Sequence, residues 1–378
     1  MKFVFAPDSF KGSLDATRMT RLLQAAALAH FPQAQCVCIP IADGGEGTVE
    51  ALLTALGGTR RFARVHAPLG EPVEATYALL DGESTAALEM AQASGLARVE
   101  RLDPLAASSA GTGELILAAL DAGAQKILLG IGGSATNDGG MGMLRALGAR
   151  FFDEAGATLS GCGADLIRVS RIDLSALSPR LRQVEIEVLC DVSNPLLGKD
   201  GATCVYGPQK GVLPHMLAPL EAGMANYAEK LSRAAGRDVA SFSGAGAAGG
   251  VGAAVAGVLG ARLRPGVDVV LERAGFDAHL SDASLVVTGE GRLDAQSVAF
   301  GKAPVGVARR CERAGVPVVA LVGGVAEGAQ DFLRIGHSAI VPVVDAPMPL
   351  GEALANAEAL YARAADRLFS LLKMGVRL

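Results

Sequence analysis

KFVFAPDSFKGS (residues 2–13) reads as a short apolar strand that runs directly into a polar, glycine-containing loop, and the same succession recurs along the chain. Working outward, residues 14–30 have the spacing of an amphipathic helix, 36–41 of a strand and 47–56 of a second helix. The C-terminal part continues in kind, with strands over 285–288, 316–322 and 339–344, a helix over 305–314 and a long final helix over 350–372. Strands that alternate with helices in this way argue for parallel βαβ units. In between, residues 61–65, 73–80 and 85–90 are closely spaced and alternate, which suits an antiparallel meander, and further strand–loop units follow at 126–129 and 185–190. The expected fold class is therefore α/β: a doubly wound parent of residues 1–70 and 281–378 carrying an inserted α/β domain over 71–280.

The 378 residues exceed one typical domain of roughly 150, which agrees with two domains. Hydrophobic residues make up 50% and charged ones 19%, enough to bury a core and unlike a disordered chain. A formal charge of −5 with no basic run excludes an ordinary nucleic-acid binder. Residues 239–261 are uncharged and long enough to span a bilayer, but seven are Gly and only six are Val, Leu or Phe, so a buried small-residue helix is expected there and no membrane contact. The six Cys form no C-x-x-C pair and the five His show no ligand spacing; reduced thiols, no zinc site and a cytoplasmic location are expected. The apolar stretch after Lys2 is too short for a signal peptide.

Six polar or glycine-rich segments each follow a candidate strand: APDSFKGS (6–13), ADGGEGT (42–48), GIGGSATNDGG (130–140), CDVSNPL (190–196), TGEGRLD (288–294) and LVGGV (321–325). In open α/β sheets ligands sit beyond the carboxyl ends of strands, so the loops are expected along one rim of each domain, facing a cleft. Gly with Ser or Thr at a helix start presents backbone N–H groups to phosphate. Asp8, Asp43, Glu46, Asn137, Asp138, Asp191, Asn194, Glu290 and Asp294 are hard oxygen donors of the kind that hold Mg²⁺ beside substrate phosphates. Lys11, Lys210, Arg292 and Lys302 are candidates to neutralise a transferring phosphoryl group. Each residue also has a plainer use: Asp8, Asp43 or Asp191 could cap a helix, Ser94 could open a turn, and Arg292 with Asp294 could be a surface pair. The P-loop and protein-kinase fingerprints are absent. GIGGSA with Asp153 about twenty residues on is a dinucleotide-type match, which leaves an NAD-dependent oxidoreductase open, and a non-catalytic two-lobed binding protein is a further alternative.

Taken together, APDSFKGSL, ADGGEGT, ASGL, GTGEL with GIGGSATNDGGMGML, DVSNPLLG with GPQKG, GAGAAGGVGA, and TGEGRLDAQS with GK closely resemble the bacterial glycerate kinase family, whose members serve glyoxylate and glucarate breakdown. The resemblance runs from Lys2 to about Gly323; LVGGV departs from a Gly-Ser-containing variant. It implies a flavodoxin-like domain and an inserted α/β domain with the active site in the inter-domain cleft, and ATP-dependent phosphorylation of D-glycerate to 2-phosphoglycerate, or 3-phosphoglycerate in older usage. Within that frame Asp191 is expected as the base, with Asp8 next and Lys11 beside it as catalytic residues. Mg²⁺ falls to Asp43, Glu46 or Asp294. The glycerate carboxylate falls to Lys11, Ser9 and Ser13, with Arg292 as the bidentate option and Ser94 nearby. Gly132, Gly133, Ser134, Thr136 and Asn137, together with Gly289 and Gly291, are expected on the ATP phosphates.

Overall fold

The computed structural model describes residues 1–299 and 301–375. In chain order the first strands are β1 (Lys2–Pro7), β2 (Gln35–Cys38), β3 (Thr59–His66), β4 (Pro72–Leu80), β5 (Thr85–Glu89) and β6 (Lys126–Gly130). Then come β7 (Arg150–Phe152), β8 (Arg171–Asp173), β9 (Glu185–Leu189), β10 (Arg262–Arg264) and β11 (Leu285–Gly289). The last are β12 (Arg292–Leu293), β13 (Val318–Val322), β14 (Gly324–Val325) and β15 (Ser338–Pro342).

Two compact units result. The first comprises Met1–Asp43, Glu50–Gly57 and Val267–Leu378; the second comprises Gly44–Val49 and Gly58–Gly266. The first unit holds a five-stranded parallel sheet in the order β15-β13-β11-β1-β2. Numbered within the unit this is 2-1-3-4-5, the flavodoxin-like order. β1, β11 and β13 are buried at every residue, which is why they read as unbroken apolar runs. Phe3, Phe5, Met19, Leu23, Leu360 and Phe369 pack one face of this sheet, with Phe3 and Phe369 edge to face at 5.2 Å. Helix Ala16–His30 starts at Asp15, whose carboxylate accepts the Arg18 N–H at 2.7 Å.

The second unit holds a six-stranded sheet in the order β10-β9-β6-β5-β4-β3. β10, β9, β6 and β5 run parallel, whereas β5, β4 and β3 form the antiparallel meander. Its limits differ from the expected residues 71 and 280. β3 pairs with β4 from Thr59↔Leu79 to His66↔Pro72, so those residues belong with the meander; β10 is the edge partner of β9, after which the chain returns to the first unit.

Three elements also differ locally. The final helix breaks at Asn356, whose side-chain amide bonds the Glu352 carbonyl at 2.9 Å, giving Leu350–Ala355 and Ala357–Gly375. β2 ends at Cys38, although the Ile39 and Ile41 N–H groups still bond the Phe5 and Pro7 carbonyls of β1 at 2.8 and 3.0 Å. The stretch 239–261 contains a buried helix, Ala247–Gly257, whose first residues Ala248, Gly249 and Gly250 take left-handed backbone angles. Among the described residues no helix is long and apolar enough to cross a membrane.

Candidate active site

In the flavodoxin-like order the switch point lies between β1 and β11, and ligands are expected beyond their carboxyl ends. Asp8 follows β1 and Glu290 follows β11. The Asp8 N–H donates to the Gly289 carbonyl at 2.9 Å, which carries the strand pairing one residue beyond Pro7↔Gly289 and holds the two acids side by side. The Asp8 carboxylate is buried and accepts the Ser9 N–H at 2.7 Å. Burial pushes its pKa well above the ordinary carboxylate range, and the negative charges of Asp43 and Glu290 add to this while Lys11 opposes it. Lys11 reaches from the same loop to Asp43 with its Nζ 2.7 Å from Oδ2. The Glu290 carboxyl is also raised, to about 7, chiefly by burial; Ser297 and Lys302 moderate the shift. Its Oε1 is buried without a hydrogen-bond partner among the described residues.

These groups line a cavity of about 360 Å³. Its wall is of two kinds. One part carries three acids, Asp8, Asp43 and Glu290, and three bases, Lys11, Arg292 and Lys302, together with Ser9, Ser13 and Gly291. The other part is apolar and includes Phe10, Val343, Val344, Leu350, Leu354 and Leu360. Most first-unit residues singled out from the sequence therefore converge. Ser13 Oγ is spent locally on the Phe10 carbonyl at 3.1 Å. Gly289 serves packing, since a Cβ there would lie 1.9 Å from the Leu321 carbonyl oxygen of the neighbouring strand. Asp294, expected on a metal, accepts the Ser297 N–H on Oδ1 at 3.0 Å at the start of helix Ala295–Ala299; that bond holds its carboxyl below the ordinary range. Glu290, one of the hard oxygen donors named from the sequence but absent from the specific metal set, joins the cavity residues here, its place directly after a strand being the signal.

In the second unit GIGGSATNDGG turns inward. Gly132 donates its N–H to the Gly44 carbonyl at 3.0 Å, and a Cβ on it would stand 2.7 Å from Gly45 Cα, so the two glycine loops touch backbone to backbone. Gly249 of GAGAAG does the same against Thr136, where a Cβ would lie 2.1 Å from the carbonyl oxygen. Lys210 is buried and donates from Nζ to Ser134 Oγ and to the Thr136 carbonyl, both at 2.7 Å. Burial lowers its pKa to about 7 against the pull of Asp138. Asn137 Nδ2 bonds Thr203 Oγ1 at 3.2 Å, while Asn137 Oδ1 and Thr136 Oγ1 are buried without partners among the described residues. Asp138 gathers the Ser109 N–H and hydroxyl, both at 2.7 Å, with the N–H groups of Gly140 and Gly142 at 3.1 and 3.2 Å.

The other expected residues are used in the interior or lie at the surface. Ser94 is fully buried, accepting the Thr112 hydroxyl at 2.8 Å while its carbonyl takes the Ala135 N–H. Glu46 is exposed, and the neighbouring buried carboxylate Glu89 holds its loop through the Val49 N–H at 2.6 Å. Asp191, half-buried at the end of β9, accepts the Gly266 N–H on Oδ1 at 2.6 Å. Asp191 Oδ1 is thereby bonded to backbone, which is one of the two uses the sequence offered for this residue.

The glycerate kinase family model matches residues 3–373. The chain belongs to the glycerate kinase family. Similar curated proteins include the glycerate kinase of Halalkalibacterium halodurans, 44% identical over 96% of each chain, and the glycerate 2-kinase of Escherichia coli, 44% identical over 100% of this chain and 99% of that one. A solved structure assigned as glycerate kinase 2 from Salmonella typhimurium LT2 covers 100% of both chains at 44% identity with a TM-score of 0.85.

A glycerate kinase uses ATP as phosphoryl donor, and kinases as a class deliver it with a divalent cation. The first-unit cavity suits Mg²⁺. Asp8 is made less acidic by burial and then by its acidic neighbours, and Glu290 keeps an orphaned oxygen; a hard cation would relieve the crowding of negative charge. Among the described residues no three His, Cys, Asp or Glu side chains form a metal cage by themselves.

Proposed function

We propose that this chain transfers the γ-phosphoryl group of ATP to the 2-hydroxyl of D-glycerate, giving 2-phosphoglycerate and ADP. The observation that carries this is the cavity at the β1/β11 switch point, with three acids and three bases in its wall, in a member of a family that includes a glycerate 2-kinase. Phosphoryl transfer asks the protein mainly for positioning and charge stabilisation, and this wall offers both signs of charge.

Asp8 is the base in this mechanism. Its raised pKa makes it a stronger proton acceptor than an ordinary carboxylate, and its Oδ1 is steadied by the Ser9 N–H. As the glycerate O2 bonds to phosphorus, its proton passes to Asp8 and the bond from phosphorus to the ADP oxygen breaks. Lys11, Arg292 and Lys302 meet the negative charge of the transferring group and of the substrate carboxylate. Asp43 and Glu290 would hold Mg²⁺, which when bound supplies charge neutralisation on the phosphates. Asp191, through its bond to Gly266, positions backbone and is second choice as base. The proposed use of ATP fits the cytoplasmic location expected from the sequence.

The test is a coupled assay for ADP release with MgATP and D-glycerate, with a glycerate-free control and ³¹P NMR of the product. Glycerate-dependent ADP release with phosphorus coupled to a single methine proton is expected. Coupling to a methylene pair would move the product to 3-phosphoglycerate, and absence of turnover by folded protein would remove the proposal.

A further inference from the structure

We infer that the apolar wall of the first-unit cavity is the seat of the nucleoside of ATP, an inference that rests on the kinase activity proposed above and assigns the donor site to this unit. Helix Leu350–Ala355 buries none of its own residues, and Leu350 and Leu354 are 74% and 44% exposed. A helix that exposes leucines while burying nothing contributes little to the fold, and a concave site with apolar walls and a few convergent polar groups is the usual form of a small-molecule pocket. These leucines line the same cavity as Asp8, Lys11 and Glu290, with Val343, Val344 and Leu360 completing the apolar wall.

Size and charge agree with a nucleotide. A cavity of about 360 Å³ falls in the range of roughly 300–1,000 Å³ used for drug-sized ligands, well beyond the needs of a three-carbon acid. Glycerate has no apolar face to offer such a wall, whereas a purine has two. The bases Lys11, Arg292 and Lys302 suit a polyphosphate, and Lys302 stands at the N-terminus of helix Ala303–Ala314, whose dipole favours the same charge.

Much of the competing loop is engaged within its own unit. In GIGGSATNDGG the N–H groups of Ile131, Gly132, Ala135, Gly139 and Gly140 donate to partners within the second unit; Gly130 and Gly132 pack against the backbone of Gly44 and Gly45, and Gly139 and Gly140 against the Tyr227 and Ala254 side chains. A phosphate cradle needs such N–H groups pointing at the ligand.

Calorimetric titration of MgADP into the full-length protein tests the inference, with Leu350→Ser and Leu354→Asp as variants and Leu371→Ser as control. All three positions are well exposed, and Leu371 lies outside the cavity lining, so folding is not at stake. The cavity variants are expected to bind MgADP roughly tenfold more weakly and to raise KM for ATP by the same factor, with KM for glycerate and the control unchanged. Wild-type ADP affinity in both cavity variants overturns the nucleoside site while leaving the kinase activity standing. Failure of the wild-type protein both to bind ADP and to turn over glycerate removes the activity itself, and the site with it.

Discussion

Lys210→Met should turn a buried lysine into a pH-dependent difference in stability. In the folded protein the Lys210 ammonium is stripped of water, and burial brings its pKa from the ordinary 10.5 to about 7, with Asp138 pulling the other way. Between these two values the unfolded chain holds a proton that the folded chain lacks, so stability rises with pH across that window. Below about pH 7 both states are protonated and the whole ionic cost of burial is present; above the unfolded value neither is protonated and the cost is gone. Methionine has no such titration. Subtracting the variant from the wild type cancels every other group, and the difference in unfolding free energy should grow by about 2–3 kcal/mol in favour of the wild type from about pH 6.5 to about pH 9. At the alkaline end the variant should be the less stable of the two, because Ser134 Oγ and the Thr136 carbonyl lose their donor at about 1–3 kcal/mol each. Urea denaturation followed by far-UV circular dichroism, with the m-value checked for constancy, reads the difference directly. A difference that stays flat across this range would refute the premise that Lys210 gives up its proton on folding near neutrality.

Asp8→Asn should lower kcat by roughly 10²–10⁴ with the fold intact, whereas Asp191→Asn keeps an oxygen for the Gly266 N–H and should lose much less; the reverse order in steady-state kinetics would move the base to Asp191. Gly132→Ala places a Cβ 2.7 Å from Gly45 Cα, where only backbone could yield, and should cost about 1–3 kcal/mol as a lowered Tm; an unchanged melt would mean the two loops have room to part. Asp294→Ala should cost about 1 kcal/mol through the lost Ser297 cap while the Mg²⁺ dependence of turnover is unaltered, and a higher Mg²⁺ requirement would restore Asp294 as a ligand.

Much of this was legible in the chain. β1, β11 and β13 announced themselves as short apolar runs ending in polar loops because each is buried on both faces, and burial on both faces leaves no alternation to confuse the reading. The acids that end β1 and β11 follow from the same pattern. Asp294 and Ser94 show where it stopped. Asp294 in TGEGRLD has the right chemistry for a cation, but its oxygen is used at once by the Ser297 N–H, and nothing in the motif separates a cap from a ligand. Ser94 sits in ASGL beside a glycine, and only the fold reveals that Thr112 and Ala135 enclose it.

The sequence by itself determined the class of each element, the parallel arrangement of the first unit and the list of polar groups available for chemistry, because these follow from periodicity and local residue type, and its motifs carried the resemblance to the family. Only the tertiary structure decided which of those polar groups face a cavity and which are consumed inside. GIGGSATNDGG and APDSFKGS look alike as strings, yet the first directs its polar groups into contacts with Gly44, Lys210 and Ser109 and the second opens onto a pocket. Likewise, Leu350 and Leu354 read as part of an ordinary amphipathic helix until the break at Asn356 leaves them lining that pocket. A hydrogen-bonding group is spent on whichever partner comes within about 3 Å, and what comes that close is set by segments far away in the chain.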